Sequence, residues 1–414
     1  MKKLFLDIYY VWINEMKLIF KDQAVILLFI LVPLGYPILY SYIYNNEVVH
    51  EVKVIALDES HSSLGREFVR KVDATADVRI IGHAMDMEEA KEAMRRKEAY
   101  GILYIPSDFS KNLHSQKQTQ VNVYADMSSL LFYKAMLLSA TEVSLDMGGD
   151  IRVAEIGYKT QEEDATSQQA VLNEWVTMYN TPNGFASFLI PAILILIIQQ
   201  TLLLGIGTII GTHNDKKTYT IASHTHEGRR VNAFKLTLGK AFCYAVIYMI
   251  ISVWVLRVVP YIFSLPQIGS PFTIAAFLMP YLLSATFFGM TLSYFCSQRE
   301  FAMPLFVFTS VLFVFISGIS WPWTSMPDAI KSVSYIVPST PAIHGFVKIN
   351  TMGARLADVR FEFITLWIQA GVYWLLATVM YKWWIQNYDP EHKGNPPQVV
   401  DDSINFKIGL RKKR

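Results

Sequence analysis

Apolar stretches with few charged residues are distributed unevenly along this chain. One covers residues 24–44, a polar segment at 45–183 follows, and five more fill most of residues 184–382. Each is close to the ~20 residues that a helix needs to cross the hydrocarbon of a bilayer. Because backbone amides in lipid must bond within their own segment, these stretches predict membrane-spanning helices. The pattern therefore predicts a polytopic α-helical membrane protein with one inserted domain.

Charge sets the orientation of the predicted spans, which cover residues 24–44, 184–211, 234–263, 272–296, 301–320 and 362–385. Six crossings place both termini on one side. Lys and Arg are concentrated near the N-terminus, in the 212–232 loop and in the tail, but are absent from the 264–271 connection. The positive-inside rule then predicts cytoplasmic termini and a cytoplasmic 212–232 loop. The inserted domain is expected outside.

The predicted organisation therefore has an amphipathic segment 1–22, a first span within 23–44, an extracytoplasmic domain 45–183, a bundle 184–388 and a disordered cytoplasmic tail 389–414. Segment 1–22 carries apolar residues at helical spacing with charged residues between them. With Trp12 on its apolar side, this helix fits the cytoplasmic interface of the membrane. It equally fits packing on the protein's own cytoplasmic surface, and the two interpretations are compatible. The apolar positions are Leu4, Phe5, Ile8, Trp12, Ile13, Met16, Ile19 and Phe20.

The inserted domain alternates strand and helix patterns, which predicts a small α/β domain. Strands are predicted at 52–57, 78–81, 100–105 and 121–124, and helices at 64–71, 88–97 and 129–160, the last one broken near Gly148-Gly149. Asp58, Glu59 and Asp108 stand at strand ends, where turns and caps account for them. Without a catalytic constellation, the domain is expected to gate, bind or dock.

Composition and motifs exclude several functions. Charged residues make up 17% of the chain and the net charge is +2, which gives no sign of nucleic-acid binding. The two cysteines, Cys243 and Cys296, fall within or at the ends of apolar stretches, so the inserted domain folds without disulfides. A P-loop is absent, and Leu238-Gly239-Lys240 is only a fragment of one. The chain is therefore expected not to be an enzyme and to bind no cofactor.

Two further polar clusters are candidate binding or pathway sites. His213, His224 and His226 share a loop with Asp215, but their spacing matches no metal site, so no metal is expected. Gln199 and Gln200 lie in the middle of the second span. Their amides are expected to bond to neighbouring helices or to line a translocation pathway. Because no span has a clear carboxylate at mid-depth, a proton-driven transporter is disfavoured.

The outer segment at 320–360 contains prolines between apolar pieces that are too short to span. This predicts re-entrant or interfacial half-helices, which are tolerated only where protein or a watery cavity covers them. An ordinary apolar outer loop is the alternative. The residues of this motif, counted from the end of the fifth span, are Ser317, Gly318, Pro322, Met326, Pro327, Pro338 and Pro341.

These features together resemble the membrane (permease) subunit of ABC-2-type, or type V, ABC exporters. The outer motif is similar to that family's Ser-Gly, Pro, Met-Pro and Pro pattern after the fifth span. Glu15 and Lys21-Asp22 resemble the family's entry to the first span, and Gly239-Lys240 matches the start of the third. The resemblance covers nearly the whole chain.

The resemblance implies a complex of several subunits in a bacterial inner (plasma) membrane. Two permeases, identical or different, would form the pathway in contact with membrane lipid, and separate ATP-binding subunits would hold ATP and Mg. A periplasmic adaptor is a further possible partner, and no nucleic acid is implied. The 212–232 loop would transmit closure of the ATPase, although it lacks the family's Gly after the acidic residue. The residues expected to contact the ATPase are Asp215, Lys216, Lys217, Tyr219, Glu227, Arg229 and Arg230.

The expected function is therefore ATP-driven export, or efflux, of an amphipathic, lipid-like or drug-like substrate. The alternative is a membrane receptor or secretion accessory that transports nothing and displays domain 45–183.

Overall fold

The computed structural model describes residues 2–45, 49–115, 117–156, 178–180, 184–216, 231–296 and 298–388. It divides the chain into two compact units. The membrane unit combines Met1–Asn45 with Phe185–Arg414, and the inserted unit is Asn46–Gly184. The tail at 389–414 lies outside the described residues.

Among the described residues, the membrane unit has six helices that are long and apolar enough to cross a bilayer. The six helices predicted as spans are therefore present, and their apolar segments end within four residues of the predicted ends. The fifth ends at Ile316 rather than at 320, because Gly318 takes a positive φ of 80° that stops the helix. After helix α1 (Lys2–Lys21), the spans are α2 (Gln23–Ile43), α7 (Phe185–Lys216), α8 (Ala233–Ile262), α9 (Pro271–Ser293), α10 (Arg299–Ile316) and α13 (Arg360–Tyr388).

Two of the spans contain a π-helical turn just before a proline. The turns are Leu27–Leu31 in α2, followed by Pro33, and Trp254–Val258 in α8, followed by Pro260. A proline has no N–H that could donate a hydrogen bond to the carbonyl of the residue four positions earlier. In both spans that residue lies inside the π turn. The two irregular regions meet, since Trp254 Nε1 donates to the Leu34 carbonyl at 3.0 Å.

Helix α7 lies at the centre of the membrane unit and approaches its neighbours through glycines. A Cβ at Gly205 would lie 1.8 Å from the ring of Phe29 in α2, and one at Gly207 would lie 2.4 Å from Phe306 in α10. Small residues such as glycine commonly allow helices to approach one another closely in lipid. Nearly every side chain along the middle of α7 is buried.

The outer segment forms a 3₁₀ turn (Trp323–Ser325) and two short helices, α11 (Asp328–Ser334) and α12 (Ser339–Met352). Helix α12 is buried along most of its length and ends where Gly353 adopts a left-handed φ of 69°. The backbone N–H groups of Ile268 and Gly269 donate to the Asn350 carbonyl at 2.8 and 3.1 Å. The connection between α8 and α9 is therefore attached to the end of α12.

The inserted unit is a four-stranded sheet in the order β2-β1-β3-β4, with three parallel strands and an antiparallel β4. Its main core lies between the sheet, α3 and α6, where Phe68, Leu103 and Met136 are buried. The strands are β1 (Val52–Asp58), β2 (Val78–His83), β3 (Gly101–Ile105) and β4 (Asn122–Ala125), and the helices are α3 (Ser63–Asp73), α4 (Met87–Arg95), α5 (Phe109–His114) and α6 (Leu130–Ile156).

The predicted break near Gly148-Gly149 is wrong, because α6 continues through both glycines. Two glycines cost a helix about 2 kcal/mol relative to alanine. Lys71 binds Asp146 at 2.8 Å and Asp150 at 3.1 Å, one on each side of the glycine pair, which offsets a part of this cost. The hydrogen bond to Asp146 raises the pKa of Lys71 most, and the one to Asp150 raises it next.

Candidate functional site

Helix α1 packs on the start of α8. Its side chains at Val11, Glu15 and Ile19 are buried, which is one face at helical spacing. Gly239 of α8 permits the close approach, since a Cβ there would lie 2.7 Å from Val11 Cβ and 3.0 Å from the Ile8 carbonyl.

The opposite side of α1 stays uncovered, with Leu6 58% and Tyr9 56% exposed. Packing on the protein's own surface is therefore present in the structure. Contact of the exposed side with lipid remains a prediction.

A buried ion pair joins these two helices. Lys240 Nζ lies 3.0 Å from Glu15 Oε2 and 3.2 Å from Oε1, and the two side chains are only 4% and 2% exposed. Tyr244, one helical turn after Lys240, donates its hydroxyl hydrogen to Glu15 Oε1. Charges this deeply buried are stable only when paired and hydrogen-bonded, so the three side chains depend on one another.

Two more ion pairs lie near this one, and the second of them reaches another span. Asp7 of α1 binds Lys235 in the first turn of α8 at 2.8 Å. Asp22, which caps the first span through Ala24 N at 3.0 Å, binds Arg299 at the start of α10, also at 2.8 Å. We call the six charged residues of the three pairs the ion-paired layer: Asp7, Glu15, Asp22, Lys235, Lys240 and Arg299.

The end of α7 meets the same layer. A Cβ at Gly211 would lie 2.6 Å from Arg299 Cα, so the backbones of α7 and α10 touch there. The ion-paired layer therefore connects α1 with the ends of α2, α7, α8 and α10. Its chemistry is electrostatic and mechanical, because it holds helix ends in fixed relative positions.

Gln199 and Gln200, the predicted pathway residues, both form interhelical hydrogen bonds. Gln199 is fully buried, and its Nε2 donates to Ser339 Oγ of α12 at 3.2 Å. Gln200 Nε2 donates to the Phe306 carbonyl of α10. Among the described residues, Gln199 Oε1 has no hydrogen-bond partner. Gln200 is thus occupied in packing, whereas Gln199 keeps a buried acceptor available.

Buried polar groups are also present on α9 and α12, which pack on α7. Tyr281 of α9 donates its hydroxyl hydrogen to the Ile195 carbonyl at 2.7 Å, one turn before Gln199. Thr286 Oγ1 and Thr340 Oγ1 are fully buried and lack partners among the described residues. Buried hydroxyl groups normally find partners. The interior between α7, α9 and α12 therefore offers unused hydrogen-bonding capacity.

The outer motif is a packed structure. His344 Nε2 lies 3.0 Å from the Ser317 carbonyl, and the His344 ring contacts the Trp323 ring at 4.5 Å. Burial lowers the pKa of His344, so the neutral ring donates through Nε2, because a carbonyl only accepts. Lys348 binds Glu362 at 2.6 Å and attaches α12 to the first turn of α13.

The prolines of the outer motif take local roles. Pro322, Pro327 and Pro338 precede the 3₁₀ turn, α11 and α12, respectively, and Pro341 lies buried in α12. Met326 is also buried.

Most residues predicted to contact an ATPase lie outside the described part of the chain: Lys217, Tyr219, Glu227, Arg229 and Arg230. Asp215 and Lys216 belong to the last turn of α7, but their side chains are not described. His224 and His226 lie outside as well, and so does the side chain of His213. Among the described residues, no group of three or more His, Cys, Asp or Glu is placed to hold a metal.

The pairing of Glu15 with Lys240 was missed by sequence reasoning, although both residues were singled out separately. The available signal was a lysine inside the third apolar stretch, since a cation there needs a buried partner. No pattern indicated which of the chain's acidic residues would be that partner.

Comparison with known proteins identifies matches over most of the chain. The family model described as ABC-2 family transporter protein matches residues 24–379. The linearmycin resistance permease protein LnrN of Bacillus subtilis (strain 168) is 22% identical over an alignment of 372 residues, which covers 83% of this chain and 91% of that protein.

Proposed function

This chain belongs to the ABC-2 family of transporter proteins, and on that premise we propose that it is the permease subunit of an ATP-driven exporter. The observation that carries the proposal is the Glu15–Lys240 pair. It joins α1 to the span that begins directly after the 212–232 loop. A push on that loop would therefore move α1 and the start of α8 together.

In the proposed mechanism, a separate ABC ATP-binding subunit binds ATP and Mg and docks beneath the 212–232 loop. Its closure displaces the start of α8, and Lys235 and Lys240 transmit the displacement to α1 through Asp7 and Glu15. Asp22 and Arg299 transmit it further to α10. Because the buried Glu15–Lys240 pair separates only at high cost, α1 and the start of α8 would move as one piece.

The substrate class is proposed from the bundle and from the relative. The interior around α7 combines apolar side chains with the spare polar groups of Gln199, Thr286 and Thr340. That mixture suits an amphipathic molecule with a few hydrogen-bonding groups. LnrN is named for resistance to linearmycin, and by this likeness we propose efflux of a drug-like or lipid-like compound through a pathway formed by two permeases.

Gln199→Leu separates a pathway role from a packing role. The variant removes one hydrogen bond together with an unpartnered acceptor, so stability should change by no more than about 1 kcal/mol. Efflux of an amphipathic fluorescent dye from cells should fall severalfold. Gln200→Leu, which removes the hydrogen bond to the Phe306 carbonyl while Thr309 Oγ1 still donates to that carbonyl, is the control and should retain efflux. Equal efflux in the two variants would contradict a pathway role for Gln199.

The proposed location is the bacterial inner membrane, with cytoplasmic termini and the inserted unit outside. Cysteine labelling of intact spheroplasts with a membrane-impermeant maleimide checks this. Lys91→Cys, exposed on α4, should react at once, and Glu227→Cys should react only after permeabilisation. The wild-type chain is the control because Cys243 and Cys296 are buried. Immediate labelling at 227 would reverse the orientation.

Purification in mild detergent tests the function. A tagged full-length chain should retain an ABC ATP-binding subunit in stoichiometric amount, identified by mass spectrometry. A chain that purifies without any ATPase would contradict the proposal and favour the receptor or accessory role of the inserted unit.

A further inference from the structure

Helix α8 carries an arginine on a side that is otherwise apolar and that the described residues leave uncovered. Four hydrophobic side chains on this side are 57% to 80% exposed, and Arg257 is exposed between them. Because they are three, four or eight positions apart, these residues lie on one side of the helix. We call them the α8 stripe: Phe242, Ile250, Val253, Arg257 and Tyr261.

The length of α8 sets the depth of Arg257 in the bilayer. The span has 30 residues, which make ~45 Å of helix at 1.5 Å per residue. That length matches a bilayer with both headgroup regions, of which the hydrocarbon takes ~30 Å. Arg257 precedes Ile262, the last residue of the span, by ~7.5 Å. It therefore lies near the level at which hydrocarbon gives way to lipid headgroups.

The Arg257 side chain is held in position by a neutral partner. Its Nη1 donates to Gln267 Oε1 at 2.6 Å, and Gln267 Nε2 donates to the Arg257 carbonyl at 3.1 Å. Gln267 lies in the connection after α8, so these bonds hold the guanidinium beside the end of the span. None of the ion pairs between described residues involves Arg257. A charge in a span is costly unless it reaches the interface and finds a partner.

We propose that Arg257, positioned by Gln267, binds the phosphate of a membrane phospholipid whose acyl chains lie along the α8 stripe. The phosphodiester is the anion that every phospholipid supplies at this depth. A guanidinium has five N–H donors in a planar fork, and Gln267 accepts from one of them, so two can bind the phosphate together. Phe242, Ile250 and Val253 lie on the hydrocarbon side of Arg257 and contact the chains. In the orientation proposed above, this lipid belongs to the outer leaflet.

Native mass spectrometry of the delipidated full-length chain, titrated with dioleoyl phosphatidylglycerol, tests the site. Arg257→Gln should weaken binding of the first lipid at least about tenfold, the usual effect of losing hydrogen bonds to a charged group. Arg257→Lys, which keeps the charge without the fork, should lie between Arg257→Gln and wild type. Arg70→Gln, which removes an exposed arginine of α3, is the matched control and should bind as wild type does. Dioleoylglycerol, which has the same chains without a phosphate, should bind wild type at least about tenfold more weakly.

A nitroxide on Val253→Cys in liposomes tests whether lipid covers the stripe, and the buried Cys243 and Cys296 do not compete for the label. Its relaxation should respond to oxygen, which dissolves in hydrocarbon, and not to a water-soluble nickel chelate. Protection from both reagents would show that protein covers the stripe and would overturn the proposal. So would equal lipid affinity of Arg257→Gln and wild type, or displacement of the lipid by excess inorganic phosphate, which would indicate a soluble ligand. Because none of these measurements uses ATP or an ATPase, failure here leaves the proposed function unaffected.

Discussion

Lys240→Met is expected to destabilise the membrane unit by about 3–5 kcal/mol. The substitution removes the cation that lies 3.0 Å from Glu15 Oε2, while the Glu15 carboxylate stays buried and bonded to Tyr244. A buried carboxylate without its cation loses most of the attraction that offsets its removal from water. The loss should appear as a lower midpoint of thermal or denaturant unfolding in detergent.

The double variant Glu15→Gln with Lys240→Met provides the sharpest control. It removes both charges and keeps an amide oxygen that can accept from Tyr244, so most of the lost stability should return. Lys235→Met removes the cation from the more exposed pair with Asp7, 26% and 23% exposed, and should cost no more than about 1 kcal/mol. If Lys240→Met were as mild as Lys235→Met, the buried pair would not hold α1 in place.

Asp215→Ala with Lys216→Ala is expected to abolish the stimulation of the partner's ATPase by this chain. The two residues end α7 and begin the loop proposed to receive the ATPase. Removal of a contact that transmits motion should uncouple hydrolysis without affecting membrane insertion. ATP hydrolysis by the co-purified complex in nanodiscs is the measurement.

Lys91→Ala, on the exposed surface of the inserted unit, is the matched control and should leave hydrolysis unchanged. Full stimulation in the Asp215 and Lys216 double variant would exclude these residues from coupling.

The spans could be predicted because hydrophobic burial in lipid requires long apolar runs, and those runs are visible in one dimension. The residues at which the spans end could not be predicted from these runs in the same way. The end of α10 depends on the backbone of Gly318, and the register of α2 and α8 depends on π turns before prolines. Such features follow from local geometry that apolar composition does not encode.

Contacts distant in sequence could not be predicted in the same way. Glu15 and Lys240 come together because α1 packs closely on Gly239. The ion pairs on either side of the α6 glycines involve Lys71, which lies in a different helix.

ATP hydrolysis by the purified chain, alone and with the co-purified ABC ATP-binding subunit, tests most directly whether its energy comes from another protein. The proposed function predicts no hydrolysis by the chain alone, hydrolysis by the complex, and a changed rate in the Lys240→Met complex. Hydrolysis by the isolated chain, or a rate in the complex that is unaffected by loss of the Glu15–Lys240 pair, would contradict it.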